Sequence, residues 1–419
     1  MPLAGPVRAP AARTWPTDPA RRIEIIDALR GLALMGILQV NIQSFTWGAG
    51  DVLGYLGQPP GVVESALYFL QATFVEGKFY PIFAFLFGLG MALQLRKLGR
   101  QGGIDASMAR AIYRRRLLFL FVLGLLHGLL LYFGDVLAAY AICALLFLQW
   151  TQMPTPTRPR VLVRIAWACA LAAALSLFVP MLLNGFLEVD TVSDAATGEE
   201  LAALPDAIGA AHTVYVQGGF LAELQQRLGD EFWQQVGSVP TFWPQVLALL
   251  ALGALAGRLG WLQHPDRHAG VWKCARRVGL GLGLPCALLG AALDLSTARA
   301  APGSASEWGG VISGIGSLLA AAYVAWAMAA LRRTSARAPR RWLASAGRAS
   351  LSNYLLQSLL MGTLLSGWGC GLGAVATRPQ LAALGLVLFA LQVVASRWWL
   401  ARHRQGPMEA LWRRWTYGR

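Results

Sequence analysis

Six ionisable side chains stand inside or at the edge of long apolar runs of this sequence: Asp27, Arg30, Lys78, His127, Asp135 and Asp294. A charge at the centre of a bilayer costs roughly 2.5–3.5 kcal/mol on insertion scales, so each needs a reason to be there. His127 lies 11 residues beyond Arg116, which at about 1.5 Å per helical residue puts it roughly 16 Å deep, near a midplane. An imidazole there suits acid-base or nucleophilic chemistry. It also suits a neutral core histidine bonded to a carbonyl, and both readings stand. Asp135 follows Gly134 where one short apolar run ends and the next begins, the place of a turn and a helix N-cap. From there it can also orient a base. Asp27 and Arg30 share one helical face three residues apart, as a structural ion pair or with Arg30 free to grip a phosphate. Lys78 opens its run at the outer end, where it can snorkel to water or join a polar cavity, and Asp294 marks an interface. Gln39, Asn41 and Gln43 form one uncharged polar cluster, and Ser352, Asn353, Gln357 and Ser358 form another. Such groups bond across helices, or line a polar cavity if the two stripes face each other.

The elements that must position these groups are membrane helices. Of the 419 residues, 56% are hydrophobic and 14% charged, and mean hydropathy is +0.49; a soluble domain carries about 25% charged residues. About 20 apolar residues cross a hydrocarbon core. Ten segments qualify: Ile25 to Phe45, Phe79 to Leu95, Leu117 to Phe133, Val136 to Trp150, Val161 to Phe186, Phe242 to Leu259, Val278 to Leu295, Gly310 to Leu331, Leu351 to Leu365 and Gln380 to Leu400. The fold class expected is an all-α polytopic transmembrane bundle of about ten spans.

The net charge of +15 is not a nucleic-acid face, because the charges sit between apolar runs. Alternate loops and the two termini hold 31 of the 36 Lys and Arg residues. Basic residues stay cytoplasmic in short loops, so both termini are expected inside. The long opposite segment from Glu188 to Gly237 has nine acidic residues against Arg227 alone. It reads as an extracytoplasmic cap (188–239), helical over Phe220 to Val236, with Phe232 and Trp233 at the interface. Residues 1–22 read as a cytoplasmic tail without the apolar stretch of a secretory signal, 23–403 as the membrane domain, and 404–419 as an interfacial helix. In that last helix Met408, Leu411, Trp412 and Trp415 share a face suited to lie on headgroups.

Five cysteines with no CxxC pair indicate neither a disulfide framework nor a zinc site, and no metal is expected. Gly279-Leu-Gly281-Leu-Gly283 follows no strand and lies in an apolar run, which argues against a dinucleotide loop. Gly124/Gly128, Gly253/Gly257 and Gly310/Gly314 have the spacing of close helix packing.

Several motifs carry a resemblance: Arg22-Ile-Glu-Ile-Ile-Asp27-Ala-Leu-Arg30-Gly31, Lys78-Phe-Tyr-Pro-Ile-Phe-Ala-Phe-Leu-Phe87-Gly88, the hairpin from Arg115-Arg116 through Gly124-Leu-Leu-His127-Gly to Gly134-Asp135-Val-Leu-Ala-Ala-Tyr140, and Gly347-Arg348 to Leu351-Ser-Asn353-Tyr354-Leu-Leu-Gln357-Ser358 with Gly406-Pro407. Over almost its whole length the chain resembles the YeiB-like family of bacterial multi-pass membrane proteins. That family is grouped with transmembrane acyltransferases, including heparan-α-glucosaminide N-acetyltransferases, and the Asp-x-x-Arg-Gly opening is shared with them. The resemblance implies a bacterial cytoplasmic (inner) membrane protein that moves an acyl group, such as acetyl, from cytoplasmic acyl-CoA to an extracytoplasmic acceptor. The catalytic histidine of those acetyltransferases lies after the first helix, whereas Thr46 to Glu76 here contains none. His127 takes that role on its chemistry, not by match, with Asp135 orienting it. Arg30, Arg115, Arg116 and Arg348 are the expected acyl-CoA phosphate ligands, and Asn41, Lys78, Asn353 and Gln357 the expected polar cavity. Expected partners are the bilayer, acyl-CoA and the acceptor, with a homodimer left open and no nucleic acid. The rival reading is a transporter or flippase for a small molecule or lipid, in which the same groups line a path.

Overall fold

The computed structural model describes residues 24–48, 61–100, 105–151, 159–187, 209–297 and 304–417, and among them every regular element is helical. The chain begins with α1 (Glu24–Trp47), α2 (Val62–Phe74), α3 (Phe79–Arg100), α4 (Ala106–Leu130), α5 (Leu137–Thr151) and α6 (Pro159–Leu187). A short helix, α7 (209–217), precedes α8, which runs Phe220–Gln226, through a π-helical turn at Arg227–Glu231, and on over Phe232–Gly237. The helix expected over Phe220 to Val236 is thus present, with Phe232 and Trp233 exposed. Residues 188–208 of the expected cap, the 1–22 tail and most of the segment after α1 lie outside the described residues.

Then come α9 (Val239–Leu259) and α10, which runs Ala269–Val278, a π-helical turn Gly279–Gly283, and Leu284–Thr297. Here Gly279 and Gly283 face Ala322, Leu318 and Leu319 with no room for a Cβ. The chain ends in α11 (Ser304–Gly316), α12 (Leu319–Leu331), α13 (Arg337–Arg348), α14 (Ser350–Leu365), α15 (Arg378–Arg402) and α16 (Pro407–Tyr417).

Each of the ten expected segments falls on helix, but among the described residues seven helices are long and apolar enough to span a membrane. The expected second span is the later part of a longer stretch, Val62–Leu98, and the eighth is interrupted between α11 and α12. The three that fall short are α4, whose first turns are basic, α5 with 15 residues and α14 with 16. These three carry the site.

Burial sorts the spans. In α1 and in the α2–α3 stretch 61% and 67% of the most apolar window is buried, against 11% in α6 and 28% in α10. A helix apolar on all sides belongs inside a bundle. Accordingly α1 packs Ile26, Leu29 and Ala33 into one core cluster and Leu34, Leu38, Ile42 and Phe45 into another. α3 similarly divides Ile82 and Leu86 from Ala84, Met91 and Leu95. Backbones touch where α1 crosses α13: a Cβ on Gly31 would meet the Leu343 carbonyl oxygen, and one on Gly347 would meet that of Asp27. Gly253 makes the same close approach to α3 at Phe85, whereas Gly310, expected to be a packing glycine, faces open space.

The outside is apolar. Leu118, Val122, Leu125, Leu126 and Leu129 on α4, and Leu386, Val387, Leu391 and Val394 on α15, are all exposed. A soluble monomer rarely shows contiguous apolar surface on this scale, and these faces suit lipid. The protein is a membrane protein by composition, span number and surface alike.

Candidate functional site: a basic cavity and a buried serine–histidine–aspartate group

The buried residues of α4 are Ala109, Tyr113, Leu117, Leu120, Gly124 and His127. Their spacing of three and four is one helical face, and His127 is its last member. Behind it the chain turns through 131–136 and returns as α5 against α4. The return is tight because Gly124 has no side chain: a Cβ there would collide with Ala138 N and sit 2.7 Å from Asp135 Oδ2.

The hairpin brings Asp135 back to the imidazole. His127 Nδ1 lies 2.8 Å from Asp135 Oδ1, and Asp135 Oδ2 accepts a bond of 2.9 Å from the Ala138 amide in the manner of an N-cap. Capping and orientation are therefore both present at one carboxylate. The other ring nitrogen, Nε2, lies 2.8 Å from Ser358 Oγ on α14. Since a carboxylate only accepts, these partners assign the tautomer: Nδ1 carries the hydrogen and Nε2 accepts from the serine hydroxyl. The Tyr354 hydroxyl reaches Asp135 Oδ1 at 3.5 Å, and its ring lies 4.8 Å from the imidazole. His127 and Ser358 are 2% and 1% exposed.

On the basic side of this group opens a cavity of about 790 Å³. Arg30, Arg96, Lys97, Arg116, Arg348 and Arg413 line it, along with Asp27 and Glu409, while Ile37, Val136, Tyr140 and Tyr354 line it deeper in. Arg30 Nη1 is 3.2 Å from Asp27 Oδ1, and Arg30 lies against Gly90 of α3, where a Cβ would crowd its guanidinium. Arg116 lies 3.6 Å from the Trp412 ring centroid, and Trp412 Nε1 donates to the Arg116 carbonyl at 2.9 Å. Glu409 of α16 accepts from the Leu351 amide at 2.8 Å and the Ser352 hydroxyl at 2.6 Å, a carboxylate at the start of α14 that favours the helix dipole.

Several expected residues are elsewhere. Arg115 is exposed and does not line the cavity; successive helical residues differ by about 100°, so only one of the adjacent pair can face inward. Lys78 does not snorkel: it is 1% exposed, and its Nζ donates to the Ala72 carbonyl at 2.6 Å. Asn353 and Gln357 turn toward α15, where Gln357 Nε2 donates to Gln392 Oε1 and Asn353 Nδ2 to Ser396 Oγ, both at 2.8 Å. Asn41 is half-buried on α1, away from the cavity. The two polar stripes therefore do not enclose a common space. The last helix also departs from a simple interfacial one: Leu411 and Trp415 are exposed as expected, but Trp412 is turned inward onto Arg116.

A second buried polar group, at the far end of α4, was not singled out by the sequence. Glu223, Arg227 and Glu231 of α8 are 0%, 4% and 2% exposed. Arg227 pairs with Glu223 and donates to the Leu130 carbonyl at 2.9 Å, while the Tyr215 hydroxyl donates to Glu231 at 2.7 Å. Burial raises the Glu223 carboxyl above its usual range, and Arg227 works against the shift. His212 Nδ1 donates to the Thr46 carbonyl at 2.7 Å and stacks on Trp47. The signal was present in the four-residue Glu223–Arg227 spacing. Ser358 belonged to a recognised stripe, but nothing local distinguished it from its neighbours.

No solved structure matches this chain. Residues 256–419 match the family described as "Protein of unknown function (DUF418)". The chain is 27% identical over 420 residues to "Uncharacterized protein YxaH" of Bacillus subtilis (strain 168), covering 96% of each. It is likewise 27% identical over 404 residues to "Uncharacterized protein YeiB" of Escherichia coli (strain K12), covering 93% of this chain and 95% of the other. "Uncharacterized 39.9 kDa protein in amylase 3'region" of Bacillus acidopullulyticus matches at 27% over 409 residues, 95% of this chain and 94% of that one. Over nearly its full length the chain is therefore similar to YeiB and YxaH, and its C-terminal part matches the DUF418 family.

Proposed function

We propose that the protein is an acyltransferase of the bacterial cytoplasmic membrane, taking an acyl group from acyl-CoA at the basic end and passing it to an acceptor on the opposite side. The observation that carries this reading is the cavity: basic residues from α1, α3, α4, α13 and α16 line a space that runs inward to Tyr354, directly beside the His127–Asp135 pair. Its volume is that of a small-molecule site. Arg30, Arg116 and Arg348 are the phosphate ligands, through charge-assisted hydrogen bonds. His127 is the general base and Asp135 holds its tautomer. The reading is supported by the expectation that basic loops are retained on the cytoplasmic side, where acyl-CoA is found.

Two measurements test this. Coenzyme A should bind the purified protein by calorimetry, and Arg30→Gln with Arg116→Gln should weaken binding by about tenfold or more, since hydrogen bonds to charged groups are each worth about 1.5–3 kcal/mol. His127→Gln should retain binding and lose acyl-CoA turnover by about 100-fold or more. Unchanged affinity in the arginine variants, or wild-type turnover in His127→Gln, overturns the reading. A transporter or flippase draws support from Lys78, a buried lysine outside the cavity. It predicts solute counterflow in proteoliposomes without breakage of any thioester.

A further inference from the structure

Buried hydroxyls on helices usually satisfy themselves on the preceding turn, and this protein does the same elsewhere: Thr151 donates to the Phe147 carbonyl and Thr416 to that of Trp412, each at 2.7 Å. Ser358 differs. At 1% exposure its hydroxyl is directed across to a helix 231 residues away in sequence, onto an imidazole whose other nitrogen is held by an aspartate that caps α5. We propose that Ser358 is the nucleophile of a covalent two-step transfer, with His127 as its base and Asp135 as the positioning residue; this rests on the acyltransferase reading and deepens it.

The distances meet the requirement for an activated nucleophile, with hydroxyl and base within hydrogen-bond reach and the base oriented by a third group. In the first step Ser358 Oγ attacks the thioester carbonyl carbon of acyl-CoA and its proton passes to His127 Nε2. The carbon–sulfur bond breaks, the leaving thiolate takes that proton, and the products are an acyl ester on Ser358 and free coenzyme A. In the second step an acceptor hydroxyl, amine or water attacks the ester carbonyl and gives its proton to His127 Nε2. The ester bond to Oγ breaks, and the serine oxygen recovers the proton. Tyr354, one turn before Ser358 on α14, lines the cavity, whereas Ser358 and His127 do not. The acyl chain must displace that ring to arrive.

The test uses the full-length protein in nanodiscs with acetyl-CoA, and water as the second-step acceptor. After acid quench, intact mass should show one acetyl group per chain, mapped to the peptide containing Ser358. Ser358→Ala should bind coenzyme A within about twofold of wild type and carry no acetyl group. Ser358→Cys should carry it as a thioester that neutral hydroxylamine removes. Asp135→Asn should lower the acylation rate with KM for acetyl-CoA unchanged, a split that a merely structural role would not produce. If Ser358→Ala releases coenzyme A from acetyl-CoA at the wild-type rate and wild type never holds an acetyl group, transfer is direct; the nucleophile is then refuted while acyl transfer stands. If wild type neither binds nor cleaves acetyl-CoA, both proposals fall.

Discussion

At the scale of single residues the site depends on an atom that is missing. Gly124 has its absent Cβ directed at the Ala138 amide and the Asp135 carboxylate, so alanine there forces the first turn of α5 off α4. Overpacking of this kind costs about 1–3 kcal/mol, and here the displaced atoms include the hydrogen-bond partner of His127. On the acyltransferase proposal, Gly124→Ala should lower the melting temperature modestly but reduce acyl-CoA turnover far more, as geometry misplaced by an ångström does in enzymes. Thermal unfolding and coenzyme A release on the same preparation separate the two effects; equal, small losses in both would remove Asp135 from the site. Gly90 has a related part in leaving room for the Arg30 guanidinium beside the cavity.

Among elements, α8 sets the outer boundary of α4. Arg227 joins two helices, pairing with buried Glu223 and donating to the carbonyl of Leu130, the last residue of α4 and three beyond His127. Removing one partner of a buried ion pair costs about 3–5 kcal/mol because the other charge is left stranded. Arg227→Ala should therefore destabilise strongly by thermal unfolding, and Arg227→Ala with Glu223→Gln should recover much of the loss. Additive losses in the double variant would show that the pair is not coupled. The ten apolar helices could be read in the sequence, whereas α2, α7 and α13 fall in stretches between the segments read as spans. What the residues could not reveal is rotational phase and partner choice. Arg115 and Arg116 are chemically equal until the helix is turned, and Asn353 and Ser358 share a stripe yet face α15 and α4 respectively. Lys78 escaped the snorkelling expectation because the turn 75–78 folds its side chain onto the Ala72 carbonyl of α2.

For the whole molecule, charge and apolar surface together define a direction across the membrane. The cavity opens among basic residues, exposed leucines and valines cover α4 and α15, and α8 with its acidic groups lies beyond the other end of α4. Two native cysteines probe that direction. Cys274 is exposed on the first part of α10 among Lys273, Arg276 and Arg277, and Cys370 is exposed in the turn after α14, beside the backbone contact of Gly367 with Tyr215. If basic segments are retained in the cytoplasm, Cys274 is expected inside and Cys370 outside. Variants retaining one cysteine each should then differ in intact cells: a membrane-impermeant maleimide labels the Cys370 chain at once and the Cys274 chain only after permeabilisation. The reverse pattern would turn the basic cavity outward, away from any cytoplasmic acyl-CoA, and acyl transfer from that donor would be ruled out whatever His127 and Ser358 do in detergent.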